Sequence, residues 1–136
     1  MDAMLGVLHG CFEGVKDMST GDPTIRLHDV LMSGFAMMAL KDPSLLAFER
    51  RRIAEEHNLR SVFHIKAIPC DTQMRTRLDV VDPDWLRPAY RALFHKAQRG
   101  KALDKMVFLE GCYLISLDGT GYFSSEKLFS PACLVK

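Results

Sequence analysis

One aspartate near the C-terminus stands in a setting that suits metal chemistry. Asp118 follows the largely apolar run Leu114–Leu117, and Gly119 and Gly121 permit a turn into the aromatic pair Tyr122–Phe123. A carboxylate at a strand end can meet a divalent cation, although an oxygen-coordinated site needs further acidic ligands. The alternative is that Asp118 and Gly119 form an ordinary hairpin turn, which is the commoner role of this pair after a strand.

A second group of polar residues belongs to a short helix in the middle of the chain. Asp71 is placed to cap a helix over residues 72–78. The side chains that this helix would expose are Thr72, Gln73, Arg75 and Arg77. Gln and Arg side chains read base edges, and Thr and Arg side chains bind phosphates. The pattern fits the recognition element of a helix-turn-helix unit, and it fits an ordinary surface helix equally well.

Three consecutive arginines, Arg50, Arg51 and Arg52, lie on the preceding predicted helix. They could lie against a DNA backbone, although such clusters are more often simply solvated. The charge of the chain is unevenly distributed, because residues 48–105 are net basic while both flanking parts are net acidic. A locally basic region is what a phosphate-binding surface needs.

The composition is that of a folded chain with room for one ordinary domain, at 136 residues and 48% hydrophobic residues. Cys11, Cys70, Cys112 and Cys133 form no Cys-x-x-Cys pair, so they predict neither a disulfide framework nor a zinc site. No apolar run has the length of a membrane span, and no signal peptide is evident. We therefore expect a cytoplasmic protein with reduced thiols and no membrane partner.

The spacing of apolar residues predicts helices first and strands afterwards. Helices are expected near residues 5–16, 25–41, 43–56, 71–78 and 84–98, with an irregular or short helical piece over 57–69. The period changes after Met106, where 107–109, 113–117 and 121–125 are predicted as strands. The expected fold class is mainly α with a short C-terminal β-hairpin or sheet, an α+β arrangement.

The same spacing predicts which side chains of each helix are packed. The expected packed residues are Leu27, Val30, Leu31, Phe35, Met38 and Ala39, with Met32 and Met37, in the second helix; Leu45, Leu46, Phe48 and Ile53 in the third; and Trp85, Leu86, Tyr90, Leu93 and Phe94 in the last. The methionines are expected to fill the core and not to bind a ligand.

A set of motifs, in order along residues 25–136, resembles the N-terminal part of DDE-type insertion-sequence transposases. The motifs are Asp29–Gly34, Lys41–Phe48, Ile68–Pro69 with Asp71–Arg75, Val81–Pro83 with Leu86–Pro88, and Leu117–Ser125. Each motif alone is common, whereas the ordered set is fairly specific to that family.

The resemblance implies three parts. Residues 1–23 would be a weakly structured segment, 24–105 a helical, helix-turn-helix-like DNA-binding region, and 106–136 the incomplete start of a ribonuclease H-like catalytic core. In that family the helical region binds transposon-end DNA, and three acidic residues of the core hold two Mg²⁺ or Mn²⁺ ions for strand cleavage and transfer. Asp118 matches the position of the first acid and so takes its catalytic and metal-binding role.

The chain departs from the family pattern after Asp118. The second Asp and the final Glu have no counterpart, and neither Glu110 nor Glu126 is placed to replace them. Two-metal chemistry requires ions on both the attacking and the leaving oxygen, which one aspartate cannot hold. Relatives often carry a Cys-rich stretch where this chain has Phe129–Cys133, so a buried thiol is expected for Cys133. The histidines are His9, His28, His57, His64 and His95, and they fit no catalytic spacing.

The resulting interpretation is a truncated transposase that binds no metal on its own, is inactive in strand transfer, and retains at most DNA binding. Its expected partners are transposon-end DNA, a full-length transposase and further copies of itself, since unpaired apolar strands promote association. The alternative is a stand-alone helical DNA-binding or regulatory module, in which the C-terminal hairpin is structural and Asp118 is only a turn residue.

Overall fold

The structure, a computed structural model, describes residues 2–19 and 23–114, and this part of the chain is mainly helical. Its α-helices are α1 (Asp2–Glu13), α2 (Leu27–Ala39), α3 (Leu45–Phe63), α4 (Asp71–Leu78) and α5 (Arg87–Arg99). Single 3₁₀ turns occur at Pro83–Leu86, Asp104–Met106 and Leu109–Gly111. No helix within the described ranges combines the length and apolar character needed to cross a bilayer.

The chain divides into two compact units, Met1–Ala102 and Leu103–Lys136. The first unit contains α1 to α5, and α1 corresponds to the helix expected near residues 5–16, beginning three residues earlier. Leu5, Leu8 and Phe12 of α1 are buried, because their spacing of three and four residues puts them on one side of the helix. The second unit is described over residues 103–114.

The junction between α2 and α3 follows the predicted Asp42–Pro43 break. Leu40 ends α2 by donating its backbone N–H to the carbonyl of Ala36 at 2.9 Å, and Lys41 then adopts a left-handed conformation with φ 58°. The hydroxyl of Ser44 accepts from the backbone N–H of Ala47 at 3.1 Å. This bond makes Ser44 the N-cap, so α3 begins at Leu45 and not at the proline.

α3 is longer than the sequence predicts. It passes the expected end near residue 56 and continues to Phe63, with non-helical dihedrals at Glu55 (φ −130°, ψ 30°). The kink therefore lies at the predicted boundary, and the buried residues fall on either side of it, Phe48 before and Leu59 after. His64 ends α3 in the left-handed region, with φ 52°.

α2 lies at the centre of the first unit, where α1, α3 and α4 all pack against it. The buried hydrophobic residues are Leu5, Leu8, Phe12, Leu27, Val30, Leu31, Met32, Ala36, Met37, Phe48, Leu59, Phe63, Ile65, Ile68, Met74 and Ala89. A helix covered on several sides must be apolar over most of its circumference, which explains the composition of α2.

Several predicted core residues are exposed. In α2 and α3 these are Met38, Ala39, Leu46 and Ile53. In the last helical region they are Trp85, Tyr90 and Phe94, with exposed fractions of 36%, 57% and 46%. α5 instead turns Ala89 toward the core, with Leu86 and Leu93 partly buried beside it. α5 packs against α1, and its rings Tyr90 and Phe94 remain exposed in that packing.

The described part of the second unit, residues 103–114, contains a bridge and no strand. Val107 and Tyr113 form one isolated antiparallel bridge, and the N–H of Phe108 donates to the carbonyl of Cys112 at 2.7 Å. The strand predicted over 107–109 is wrong because a 3₁₀ turn begins at Leu109, and the left-handed residues Glu110 and Gly111 reverse the chain at once. The predicted strand residues from 115 onward lie outside the described residues.

Candidate nucleic-acid interface

α4 is held on the first unit through one side of the helix. Met74 is fully buried and Leu78 partly buried, where α4 packs on α2 and α3. The exposed residues of α4 are Thr72, Gln73, Arg75 and Thr76. With about 100° between successive residues, Thr76 lies opposite the Met74–Leu78 side. These four residues define the outer face of α4.

The start of α4 differs by one residue from the prediction. Cys70 is the N-cap and Asp71 is the first helical residue. The side-chain oxygen of Gln73 accepts from the backbone N–H of Cys70 at 3.1 Å, and the carboxylate of Asp71 accepts from the N–H of Thr72 at 2.6 Å. Because its oxygen is used in the cap, Gln73 has its NH₂ group left for an external acceptor.

Arg77, predicted to contact DNA, is bonded to the protein. Its guanidinium donates to the carbonyl of Ile25 at 3.1 Å and to the carboxylate of Asp17 at 2.6 Å. Burial opposes the ionisation of Asp17, but hydrogen bonds from Ser19 and the charge of Arg77 outweigh it and lower the pKa of Asp17. Arg77 therefore fastens α4 to the segment between α1 and α2.

Two of the three consecutive arginines are also engaged. Arg51 binds both carboxylate oxygens of Asp42, at 2.8 and 3.0 Å, and reaches Glu55 at 3.2 Å. Arg52 binds both oxygens of Glu49, at 2.9 and 2.6 Å. The hydrogen bond with Arg52 lowers the pKa of Glu49, and the hydrogen bonds with Asp42 and Glu49 raise the pKa of Arg51 and Arg52. These bidentate ion pairs stabilise α3 and its junction with α2.

Arg50 and Arg75 are the predicted site arginines that remain available. Both are exposed, and neither takes part in an ion pair with any residue of the described ranges. The structure thus separates the five predicted arginines into three that are bonded to protein groups and two that face outward.

The connection between α3 and α4 covers residues 64–70, which is longer than the three- or four-residue turn of a helix-turn-helix unit. Asp29 of α2, only 4% exposed, holds this connection. Its carboxylate accepts from the backbone N–H groups of Lys66 at 3.3 Å and Ala67 at 3.1 Å. Sequence reasoning assigned no role to Asp29, although an acidic residue within the apolar pattern of a central helix is a signal for a buried acceptor.

A histidine cluster joins α1 to the neighbouring helices. Nε2 of His9 lies 3.0 Å from the carbonyl of Phe63, and Nδ1 of His9 lies 2.9 Å from Nε2 of His28. Because a carbonyl only accepts, His9 donates through Nε2 and accepts from His28 through Nδ1. Burial lowers the pKa of His9, and the nearby His28 and His64 lower it further, which favours this neutral form.

Two grooves border these clusters. A groove of about 250 Å³ runs along the outer face of α4, between Thr72, Gln73 and Thr76 on one side and Pro23–Ile25 on the other. A second, of about 560 Å³, is lined by His9, His28 and His64 together with charged residues of both signs. The first groove continues the polar surface of α4, and the described residues that line it include no carboxylate.

The predicted metal-binding residue Asp118 lies outside the described residues. Within the described ranges, no three or more His, Cys, Asp or Glu side chains are grouped closely enough to hold a metal ion. Cys11, Cys70 and Cys112 are free thiols.

No family model, curated protein or solved structure matches this chain.

Proposed function

We propose that this chain binds DNA through the outer face of α4, as the DNA-binding part of a DDE-type transposase. The observation that carries the proposal is the position of Arg75. It is exposed on a short helix whose opposite side is anchored by Met74, and it forms no ion pair with any residue of the described ranges. A rigid helix with outward Arg, Gln and Thr side chains has the donors that bind phosphates and base edges.

The roles proposed for the individual residues follow from their free groups. Arg75 has its full guanidinium available for a phosphate or a guanine edge. The hydroxyl of Thr72 donates to the carboxylate of Asp71 at 3.2 Å, so it would have to exchange this bond to contact a phosphate. Gln73 presents its NH₂ group because its oxygen is bonded to Cys70. Arg50 adds an outward positive charge on α3. Arg51, Arg52 and Arg77 act on this surface indirectly, by holding α3 and α4 in place.

The catalytic part of the proposal concerns Asp118. As the first metal-binding acid of a ribonuclease H-like core, it would bind Mg²⁺ or Mn²⁺ only together with further acids, because the two-metal mechanism needs ligands for both ions. We propose that the chain alone does not cut or join DNA. Strand cleavage by the purified protein with either metal ion, lost in Asp118→Ala, would contradict this.

Association with a full-length transposase or with further copies of the chain is part of the same proposal. Met106, Val107, Phe108, Leu109 and Leu114 are all large apolar residues with exposed fractions between 41% and 77%. A concentration of apolar side chains within nine residues favours association. Size-exclusion chromatography with light scattering should show oligomers of the full chain, and a monodisperse monomer at all concentrations would count against it.

The alternative function, a stand-alone helical DNA-binding or regulatory module, is favoured by one observation. Met1–Ala102 forms a compact unit with its own buried core, which needs nothing from the rest of the chain to bury Met74 under α4. Reading the coding sequence downstream of codon 136 separates the two functions, because only the transposase requires further core strands and acidic residues.

Selection from a random-sequence duplex library tests the DNA-binding proposal. The bound sequences supply a duplex probe for gel-shift titrations of wild type, Arg75→Ala and the charge-matched control Lys16→Ala. Lys16 is exposed and belongs to the segment that Arg77 holds on the inner side of α4, not to the outer face. Loss of a base contact at Arg75 should weaken binding by about 1–3 kcal/mol and relax the selected sequence. Equal effects of Arg75→Ala and Lys16→Ala would remove α4 from this role.

A further inference from the structure

We propose that the outer face of α5 binds single-stranded DNA, with the bases stacked on its exposed aromatic rings. This site goes beyond the proposed function, because it uses a different helix and a different form of nucleic acid. Sequence reasoning missed it, since the aromatic residues of α5 were expected in the core.

The first observation is the charge of α5. Arg87, Arg91, Lys96 and Arg99 belong to this helix, and residues 87–99 contain no Asp or Glu. Within the described part of the chain, the only one of these four with an ion-pair partner is Arg87, which lies 2.6 Å from Asp84. α4 differs, because it carries Asp71 beside its arginines. A helix with this excess of positive charge attracts a polyanion such as a phosphate backbone.

The second observation is the position of the aromatic rings. Tyr90 and Phe94 are 57% and 46% exposed, and they lie one turn apart on the side of α5 that faces away from Ala89. Arg87 and Arg91 alternate with them at the same spacing and are also exposed. The outer face of α5 therefore places two exposed rings beside the guanidinium of Arg91, which forms no ion pair within the described ranges. The ring of Phe94 also meets the ring of His95 edge-on, with 6.3 Å between centroids, so Tyr90 is the ring that carries the proposal. Aromatic rings and guanidinium groups both stack on bases.

The combination favours single strands over duplex DNA. Phosphates of either form would satisfy the arginines, but a duplex hides the faces of its bases inside the stack. Only unpaired bases offer flat surfaces to Tyr90 and Phe94, and base–aromatic stacking tolerates any sequence. A double-stranded ligand would leave both rings in contact with water.

The test uses the full chain and fluorescein-labelled oligothymidine of 15 nucleotides, titrated by fluorescence anisotropy. Tyr90→Ala should weaken binding about five-fold or more, as loss of one stacked base requires, whereas Tyr90→Phe should bind like wild type because the ring is retained. Circular dichroism melts of both variants check that α5 still folds. No binding by the wild type, or equal binding by wild type and Tyr90→Ala, overturns the proposal.

Arginine variants separate this site from α4. Arg91→Ala should weaken oligothymidine binding and reduce its salt dependence, whereas Lys16→Ala should leave both unchanged and Arg75→Ala should weaken binding less than Arg91→Ala. A 15-base-pair duplex should compete poorly for the oligothymidine complex. Competition by the duplex at equal concentration, with Arg75→Ala and Arg91→Ala equally impaired, would overturn the proposal in favour of general electrostatic binding. Binding of the selected duplex by α4 is measured in a separate titration and does not depend on that result. The two proposals can therefore fail independently.

Discussion

The inner side and the outer face of α4 each carry an arginine, but one arginine binds the protein and the other faces solvent. On the inner side, Met74 is buried and Arg77 is bonded to Asp17 and Ile25. On the outer face, Arg75 and Thr72 are exposed. Arg75 and Arg77 are two residues apart, yet one faces solvent and the other holds the helix to the protein. An arginine near a predicted binding motif is therefore not automatically available to a ligand.

The difference has an energetic cause. Arg77 could reach a phosphate only by giving up a carboxylate and a carbonyl, and hydrogen bonds to charged groups contribute about 1.5–3 kcal/mol. Arg75 loses only hydration when it binds. The same distinction separates Arg51 and Arg52, which bind carboxylates through two nitrogens each, from the exposed Arg50.

The largest effect should come from removing the anchor of α4. Met74→Ala empties a fully buried position, so the free energy of unfolding should fall by about 2–5 kcal/mol. Thr76→Ala, on the outer face, should change it by no more than about 0.5 kcal/mol. Urea unfolding followed by circular dichroism measures both. Similar values for the two variants would mean that α4 is not anchored through Met74.

The next effect concerns the connection that positions α4. Asp29→Ala removes the acceptor of the Lys66 and Ala67 N–H groups and should lower the free energy of unfolding by about 2–3 kcal/mol. Asp79→Ala removes an exposed carboxylate at the end of α4 and serves as the matched control, with a change within about 0.5 kcal/mol. If Asp79→Ala lowers the free energy of unfolding and Asp29→Ala does not, the role assigned to Asp29 is wrong.

The arginine pair gives a smaller and more specific effect. Arg77→Ala should cost about 1–2 kcal/mol of stability, whereas Arg75→Ala should cost almost none and act only on DNA affinity. A double-mutant cycle with Asp17→Ala isolates the contribution of the ion pair, since the two losses should not add. If Arg75→Ala destabilises the protein as much as Arg77→Ala, the division between inner side and outer face is wrong.

The smallest effect is the pH dependence of the histidine cluster, which links α1 to α2 and α3. The folded state lowers the pKa of His9 below its ordinary value of 6.5, so the unfolded chain takes up this proton first. The contribution of His9 to stability is therefore complete above pH 6.5 and is lost as the pH falls below that value. Urea unfolding at pH 7.5 and 5.5 should show a weaker pH dependence for His9→Gln than for wild type. The control His57→Gln, at an exposed position, should behave like wild type.

The sequence predicted the helical elements well where it contained strong local signals. The Asp42–Pro43 and Asp82–Pro83 steps mark real breaks, and a helix over Asp71–Leu78 is confirmed. The observed starts of α3 and α4 differ from the predicted ones by one or two residues, because hydrogen bonds at Ser44 and Cys70 fix where each helix begins. The prediction of a strand over 107–109 was wrong because an apolar run of three residues does not distinguish a strand from a segment that leads into a tight turn.

The sequence by itself determined the mainly helical character of residues 2–99 and the exposed position of Arg75, because periodicity and capping are local properties. Only the tertiary structure decided which of the other polar residues are free. Arg77 and Asp17 are 60 positions apart, and Asp29 and Ala67 are 38 apart, so no local pattern indicates that they meet. The exposure of Tyr90 was decided in the same way, because α5 packs on the first unit with Ala89 buried and its aromatic side exposed.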